Sequence, residues 1–178
     1  MWYNKLMKIS FNKATENDLL FVQKWIKVND RVKKWYYHDK VPTINTLRKK
    51  IVERQKVKDF YANIVFFNDI PVGYLQSYDV NGWGNWTKRV KIYENTVGLD
   101  YFIGENEYLN KGYGPKIIKQ YIDEVVKKQK YDYATATPDP DNYASCRCLE
   151  KCGFKFQKVV NIPYINSKHR EAIYLKKL

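Results

Sequence analysis

The chain has no long apolar run, little cysteine and only two histidines. No stretch of apolar residues approaches the ~20 that a membrane-spanning helix needs. The N-terminus lacks the basic-then-apolar order of a signal peptide. From these absences we expect a cytoplasmic protein with no membrane partner.

The three cysteines, Cys146, Cys148 and Cys152, all fall within one predicted helix. An odd number within one short stretch does not form a disulfide framework. The two histidines, His38 and His169, stand alone elsewhere in the sequence, so no cysteine–histidine spacing typical of zinc is present. We therefore expect buried reduced thiols and no metal site.

Acidic residues are few, and the formal net charge is +13. Such a charge can indicate nucleic acid, anionic lipid or an anionic cofactor as a partner. Of the 32 basic residues only six are arginine, the side chain that favours bidentate recognition of bases and phosphates, and no run of lysines exceeds two. A solvated basic surface is therefore the favoured interpretation, and no nucleic-acid partner is expected.

Positive charge is absent from two stretches of the sequence, residues 92–110 and 134–146. Both contain carboxylates, namely Glu94, Asp100, Glu105 and Glu107 in the first and Asp139 and Asp141 in the second. Acidic stretches in a basic chain favour a local site for a cation, and a chance grouping is the alternative.

The 44% hydrophobic and 16% aromatic content predicts a packed core, and 178 residues suit one domain spanning residues 1–178. Apolar periodicity and turn residues predict a strand, helices, a run of three strands, a helix, a strand, a helix and two final strands. This order predicts a single mixed α/β (α+β) domain in which helices flank a mixed central sheet.

The stretch Val97–Ile122 combines a strand, a glycine turn and an amphipathic helix. The turn is KGYGPK, and the helix is predicted to begin at Pro115, since proline suits a first helical position. Unpaired N–H groups and the helix dipole at such a turn suit a phosphate. Asp100 points to the opposite face of the strand from Leu99, so an anion cradle and a carboxylate lie close together in sequence.

These elements, with NKGYGPK and NYASCRCLEKCGF, resemble the GNAT superfamily of acetyl-coenzyme A-dependent N-acetyltransferases. RVKKWYY, IPVGYLQSY and VGLDYFIGE extend the resemblance to the aminoglycoside 6′-N-acetyltransferases. The resemblance implies a GNAT-like fold, acetyl-CoA as co-substrate and an aminoglycoside as the small-molecule amine partner. It also implies antibiotic resistance through direct transfer to the 6′-amine in a ternary complex.

The resemblance also implies roles for individual residues, with Asp100 as the catalytic carboxylate beside the acceptor amine. Cofactor contacts are implied for the backbone of Phe102 and Ile103, the N–H groups of Lys111, Gly112, Tyr113, Gly114 and Lys116, and Asn142. Acceptor contacts are implied for Trp35, Tyr36, Gln76 and Tyr78, with Glu94 and Asp139 as further acidic candidates.

Three residues depart from the family pattern. Leu149 replaces the tyrosine that protonates the leaving thiolate, which leaves Tyr143, water or departure as free thiolate as alternatives. Thr137 replaces an aspartate of the drug pocket, for which Asp139 is the substitute. Pro115 removes one N–H group from the phosphate turn.

Two other functions stay open at this point. The acceptor of a related N-acetyltransferase could be a protein N-terminus or a small amine metabolite. A chain without catalysis could instead bind nucleic acid through its basic, aromatic surface. A monomer and a homodimer are both compatible with the sequence.

Overall fold

The computed structural model describes residues 7–82, 86–87, 90, 92–93, 95–162 and 169–178. Glu94, a predicted acceptor contact, lies outside these residues. The strands are β1 Ile9–Lys13, β2 Phe60–Phe67, β3 Ile70–Asp79, β4 Thr96–Ile103, β5 Tyr133–Ala136, β6 Lys155–Asn161 and β7 Arg170–Lys177. The α-helices are α1 Leu19–Val28, α2 Asp30–Tyr37, α3 Ile44–Leu47, α4 Tyr113–Glu124 and α5 Tyr143–Lys151.

The predicted order of strands and helices is confirmed, but two predicted helices differ in detail. The apolar spacing after Pro42-Thr43 predicts one helix from Ile44 to about Val57. This segment is α-helical only in α3 and continues as π and 3-10 turns. Helix α4 begins at Tyr113, so the prediction that Pro115 occupies its first position was wrong. Proline is tolerated as the third residue because N–H groups of the first turn have no intrahelical partner.

One mixed sheet of seven strands has the order β1-β2-β3-β4-β5-β7-β6. All neighbours are antiparallel except β4 and β5, which pair in parallel only from Thr96–Tyr133 to Gly98–Thr135. Strand β4 continues to Ile103, so its last five residues run on beyond the end of this ladder. The sheet therefore opens between its two central parallel strands at Leu99, one residue before Asp100.

The register of β3 against β4 places the residues that surround Asp100. The Asn68-Asp69 pair between two apolar runs predicts a tight hairpin turn. The φ angles of 46° at Asn68 and 69° at Asp69 confirm it. A glycine inside a strand such as Gly73 predicts a bulge or a close backbone approach. A Cβ on Gly73 would lie 2.4 Å from the Phe102 carbonyl oxygen, so the backbones of β3 and β4 approach closely here. This pairing sets Gln76 directly opposite Asp100.

Helices cover both faces of the sheet and create two apolar cores. Helices α4 and α5 pack on one face, where Leu99 is buried. Helices α1, α2 and α3 pack on the other face, together with Phe102. Asp100 and Phe102 thus face α1–α3, whereas Leu99 and Tyr101 face α4 and α5. Among the described helices, none has the length and apolar character needed to cross a bilayer.

Candidate active site

A cleft of about 1310 Å³ lies where β4 and β5 separate. It is open on both faces of β4 and reaches from α2 and β3 to the N-terminal ends of α4 and α5. Most predicted site residues line it, namely Trp35, Tyr36, Gln76, Tyr78, Asp100, Phe102, Ile103, Gly112, Tyr113, Gly114, Asp139 and Asn142. Residues remote in sequence therefore form one continuous site.

Asp100 is held at the wall of the cleft by a chain of hydrogen bonds. Gln76 donates from Nε2 to Asp100 Oδ2 at 2.7 Å, and Tyr74 donates its hydroxyl to Gln76 Oε1 at 2.7 Å. Tyr78 donates to Asp100 Oδ1 at 3.4 Å. Because Gln76 is fixed by a buried tyrosine, the carboxylate has a defined orientation toward the cleft.

Burial raises the pKa of Asp100 to about 6. The hydrogen bonds from Gln76 and Tyr78 oppose this rise because they stabilise the charged form, whereas the nearby Glu171 carboxylate adds to it. An ordinary aspartate is too weak a base for proton transfer near neutral pH. This carboxyl is therefore tuned toward the range in which a general base works.

Aromatic side chains form the wall of the cleft beside Asp100. The Tyr36 ring contacts Phe102 edge-on at 4.9 Å and Tyr74 at 6.3 Å between centroids. Trp35 also lines the cleft, with the Lys34 ammonium 4.3 Å from the centre of its ring. These rings give the Asp100 side of the cleft a rigid apolar surface.

A second carboxylate, Glu171 on β7, was missed by the sequence analysis. It is 8% exposed and accepts from Trp86 Nε1 at 2.6 Å, while its other oxygen lies 3.2 Å from His169 Nε2. The His169 ring meets His38 edge-on at 5.2 Å, so the two histidines do not stand alone in the fold. All four residues line the cleft. Burial and the neighbouring His169 lower the pKa of His38.

The two stretches without Lys or Arg, residues 92–110 and 134–146, each supply one carboxylate to the cleft among the described residues, Asp100 and Asp139. Glu105 does not line it, because its carboxylate accepts from Trp25 Nε1 at 2.8 Å in the α1 core. Asp141 pairs with Arg170 at 3.0 Å, near the surface. Together with Glu171 from β7, three carboxylates among the described residues line the cleft. The distribution of charge along the sequence indicated only two of them.

The N-terminus of α4 fits the anionic part of a nucleotide cofactor. Gly112 precedes it with φ +78°, and no side chain among the described residues caps its N–H groups. A Cβ on Gly112 would meet nothing within 4 Å, so the turn opens into free space. Lys111 and Lys116 are exposed and are not among the residues lining the cleft. Their predicted backbone contacts stay predictions.

Three other contacts shape the cleft beside the predicted cofactor-binding residues. A Cβ on Gly114 would come within 2.9 Å of Cys148 Sγ, so glycine allows α4 and α5 to approach closely. Asn142 Oδ1 accepts from the Ser145 N–H at 3.3 Å and caps α5. The Ile103 carbonyl accepts from Asn29 Nδ2 at 3.2 Å, so this oxygen already has a partner.

Comparison with known proteins assigns this architecture to a family. The family model described as acetyltransferase (GNAT) domain matches residues 14–162. The chain belongs to the GNAT acetyltransferase family. The predicted fold is confirmed, and the activity of this GNAT protein is acetyl-CoA-dependent N-acetyl transfer.

Named relatives of this GNAT chain include aminoglycoside acetyltransferases. It is 24% identical over 159 residues to aminoglycoside N(6′)-acetyltransferase type 1 of Klebsiella pneumoniae, covering 87% of this chain and 78% of the relative. The structure of AAC(6′)-Ib with coenzyme A and kanamycin superposes with a TM-score of 0.81 at 22% identity, covering 96% of this chain and 95% of that one.

RimL, a ribosomal L7/L12 alpha-N-protein acetyltransferase solved with coenzyme A, is similar with a TM-score of 0.73 at 11% identity. This match covers 96% of the present chain and 94% of RimL. The GNAT fold of this chain is therefore shared by proteins named for different acceptors.

Proposed function

We propose that this GNAT protein acetylates the 6′-amine of an aminoglycoside and thereby confers resistance. The observation that carries the proposal is that three carboxylates, Asp100, Asp139 and Glu171, line the cleft of a chain with net charge +13. Lys50 and Arg54 line the same cleft. A polycationic acceptor needs such carboxylates to offset the positive charge around them. We call the part of the cleft beside Asp100 and Glu171 the acceptor end. The similarity to aminoglycoside 6′-acetyltransferases supports the same acceptor.

In the proposed reaction Asp100 orients the acceptor ammonium and takes its proton, so that the amine can attack. Gln76 and Tyr78 hold the carboxylate in place during this transfer. Acetyl-CoA, when bound, supplies the acetyl group as an activated thioester, and the N-terminus of α4 would hold its pyrophosphate. Transfer is direct, because the acceptor amine is itself the nucleophile once Asp100 has taken its proton, and no acyl-enzyme is required.

The acceptor is tested by thiol release from acetyl-CoA in the presence of kanamycin, tobramycin, a peptide with a free N-terminus, or a simple polyamine. We expect release with the aminoglycosides, and NMR of the product should place the acetyl group on the 6′-nitrogen. Turnover of the peptide or polyamine with no aminoglycoside turnover would contradict the proposal. Acetylation at another amine of the drug would keep the substrate class and reject the position.

The pH dependence of kcat/KM provides a first prediction. Because Asp100 must be ionised to take a proton and burial raises its pKa to about 6, kcat/KM should fall about tenfold per pH unit below pH 6. The limb near pH 6 should be absent in Asp100→Asn, whereas the limb due to the acceptor amine should persist in both. An identical profile in the two proteins would reject Asp100 as the base.

The second prediction concerns Glu171. Replacing it with glutamine keeps its size but removes a charge at the acceptor end, so KM for a polycationic acceptor should rise about tenfold. Steady-state kinetics should show little change in KM for acetyl-CoA. The matched control is Glu124→Gln, because Glu124 lies on α4 and is exposed. A proportional rise in both KM values would indicate that Glu171 only supports the fold.

A further inference from the structure

Tyr101 is a cleft residue to which neither the sequence nor the comparisons assign a role. It follows Asp100 on β4 and faces the α4–α5 side, whereas Asp100 faces α1–α3. Its hydroxyl lies 2.8 Å from Ser145 Oγ on α5, and both residues line the cleft. Adjacent residues thus place a proton acceptor and a proton donor on opposite sides of the same strand.

Acetyl transfer from a thioester needs both kinds of group. Formation of the C–N bond removes a proton from nitrogen, and cleavage of the C–S bond leaves an electron pair on sulfur. A positioned hydroxyl lowers the barrier by donating to that sulfur. Asp100 can serve only the first need, because it takes the proton and faces away from α5.

The position that the family resemblance would assign to the donor cannot supply it. Leu149 carries no protic group, is 0% exposed and belongs to the core beneath α5. Tyr143 lies at the start of α5, and its side chain is 68% exposed, so most of it faces solvent. The Tyr113 ring packs against Phe67 at 5.0 Å. Cys148 has only a thiol, which is a weak donor.

We propose that Tyr101 is the catalytic residue whose hydroxyl donates a hydrogen bond to the departing sulfur. The C–S bond breaks with its electron pair going to sulfur, and the Tyr101 hydroxyl stabilises the thiolate as it forms while keeping its own proton. The thiolate then takes a proton from solvent in the cleft to give the thiol. The ammonium proton leaves separately through Asp100, so the transfer balances.

The surroundings of Tyr101 keep its hydroxyl in the donor form. Burial raises its pKa well above the ordinary value, and the nearby Cys148 adds to this rise, so the side chain stays protonated across the working range. The hydrogen bond with Ser145 fixes the orientation of the hydroxyl, and with Ser145 Oγ as its donor the Tyr101 proton points to the sulfur. A phenylalanine would preserve the packing of the ring and remove only the donor.

The proposal is tested without any acceptor, by titrating the thiol of coenzyme A bound to the protein through the ultraviolet absorbance of the thiolate. A hydroxyl that donates to sulfur stabilises the thiolate, so Tyr101→Phe should raise the pKa of the bound thiol by about one unit or more. Ser145→Ala should shift it in the same direction by less. Tyr101→Phe should also lower kcat by ~10²-fold.

Tyr174→Phe is the matched control, since its hydroxyl also bonds to α5, donating to Glu150 at 3.1 Å, but Tyr174 does not line the cleft. It should leave the titration of the thiol unchanged. An unchanged thiol pKa in Tyr101→Phe, or a shift found in Tyr143→Phe instead, would overturn the proposal. Equal weakening of coenzyme A and desulfo-coenzyme A binding would also overturn it, because the hydroxyl would then act on the fold.

Discussion

Replacing Asp100 with asparagine should lower turnover by ~10²–10⁴-fold while acetyl-CoA affinity is retained. Asparagine matches aspartate in shape and can still accept the Gln76 hydrogen bond, but it cannot take a proton. The proposed phosphate site is the N-terminus of α4, on the other side of β4, and should not change. Steady-state kinetics and calorimetric titration with acetyl-CoA measure the two effects separately.

The same substitution should make the protein more stable, which separates a catalytic from a structural role. Because folding raises the Asp100 pKa to about 6, the folded state favours the protonated form, and this contribution to stability is lost as pH rises from about 4 through 6. Above pH 6, Asp100→Asn should therefore increase the free energy of unfolding by ~1–3 kcal/mol.

Urea denaturation at pH 5 and pH 7.5 measures this difference in stability. The control is Asp123→Asn on α4, where Asp123 is exposed and pairs with Lys127. It should change stability by less than ~0.5 kcal/mol and leave turnover intact. Reduced stability together with reduced turnover in Asp100→Asn would instead identify Asp100 as a structural residue.

Features determined by local sequence were predictable. The turn at Asn68 and Asp69 follows from residues that tolerate positive φ, and the end of α5 follows from Gly153, which has φ +83°. The opposite directions of Leu99 and Asp100 follow from strand geometry alone. Each of these depends on neighbours within a few residues, so a single sequence contains the necessary information.

Features determined by contacts between distant segments were not predictable. The Glu171 carboxylate meets Trp86 across 85 positions of sequence, and no period or motif indicates that contact. His38 and His169 meet because α2 and the start of β7 both border the cleft. The one available signal for Glu171 was a carboxylate in the apolar strand EAIYL, which suggests a buried polar role but no location.

The opening of the sheet connects these local and distant features. Only three residue pairs join β4 to β5, and Asp100 and Tyr101 are the second and third residues after the last pair. Both side chains therefore lie at a strand edge that borders the cleft, Asp100 facing α1–α3 and Tyr101 facing α4 and α5. In the proposed mechanism the acceptor and the leaving group are thus bound on opposite faces of one strand.

Gly112→Asp should weaken acetyl-CoA binding by ~10²-fold, because it adds a negative charge where the pyrophosphate is expected. Gly112 has φ +78°, a conformation that aspartate and asparagine tolerate better than other side chains, and its Cβ would meet nothing within 4 Å. The fold should therefore be retained. Calorimetric titration should show a loss of acetyl-CoA affinity that becomes smaller at high salt, because salt screens the repulsion.

Gly112→Asn is the matched control, because it shares the shape and backbone preference of aspartate and lacks the charge. It should bind acetyl-CoA several-fold more weakly than the parent at most, so the difference between the two variants measures electrostatics at the N-terminus of α4. Acetyl-pantetheine, which has no phosphate, should bind both variants equally. If the aspartate variant lost acetyl-pantetheine and acetyl-CoA to the same extent, the charge would be distorting the turn, and the pyrophosphate would have to bind elsewhere along the cleft.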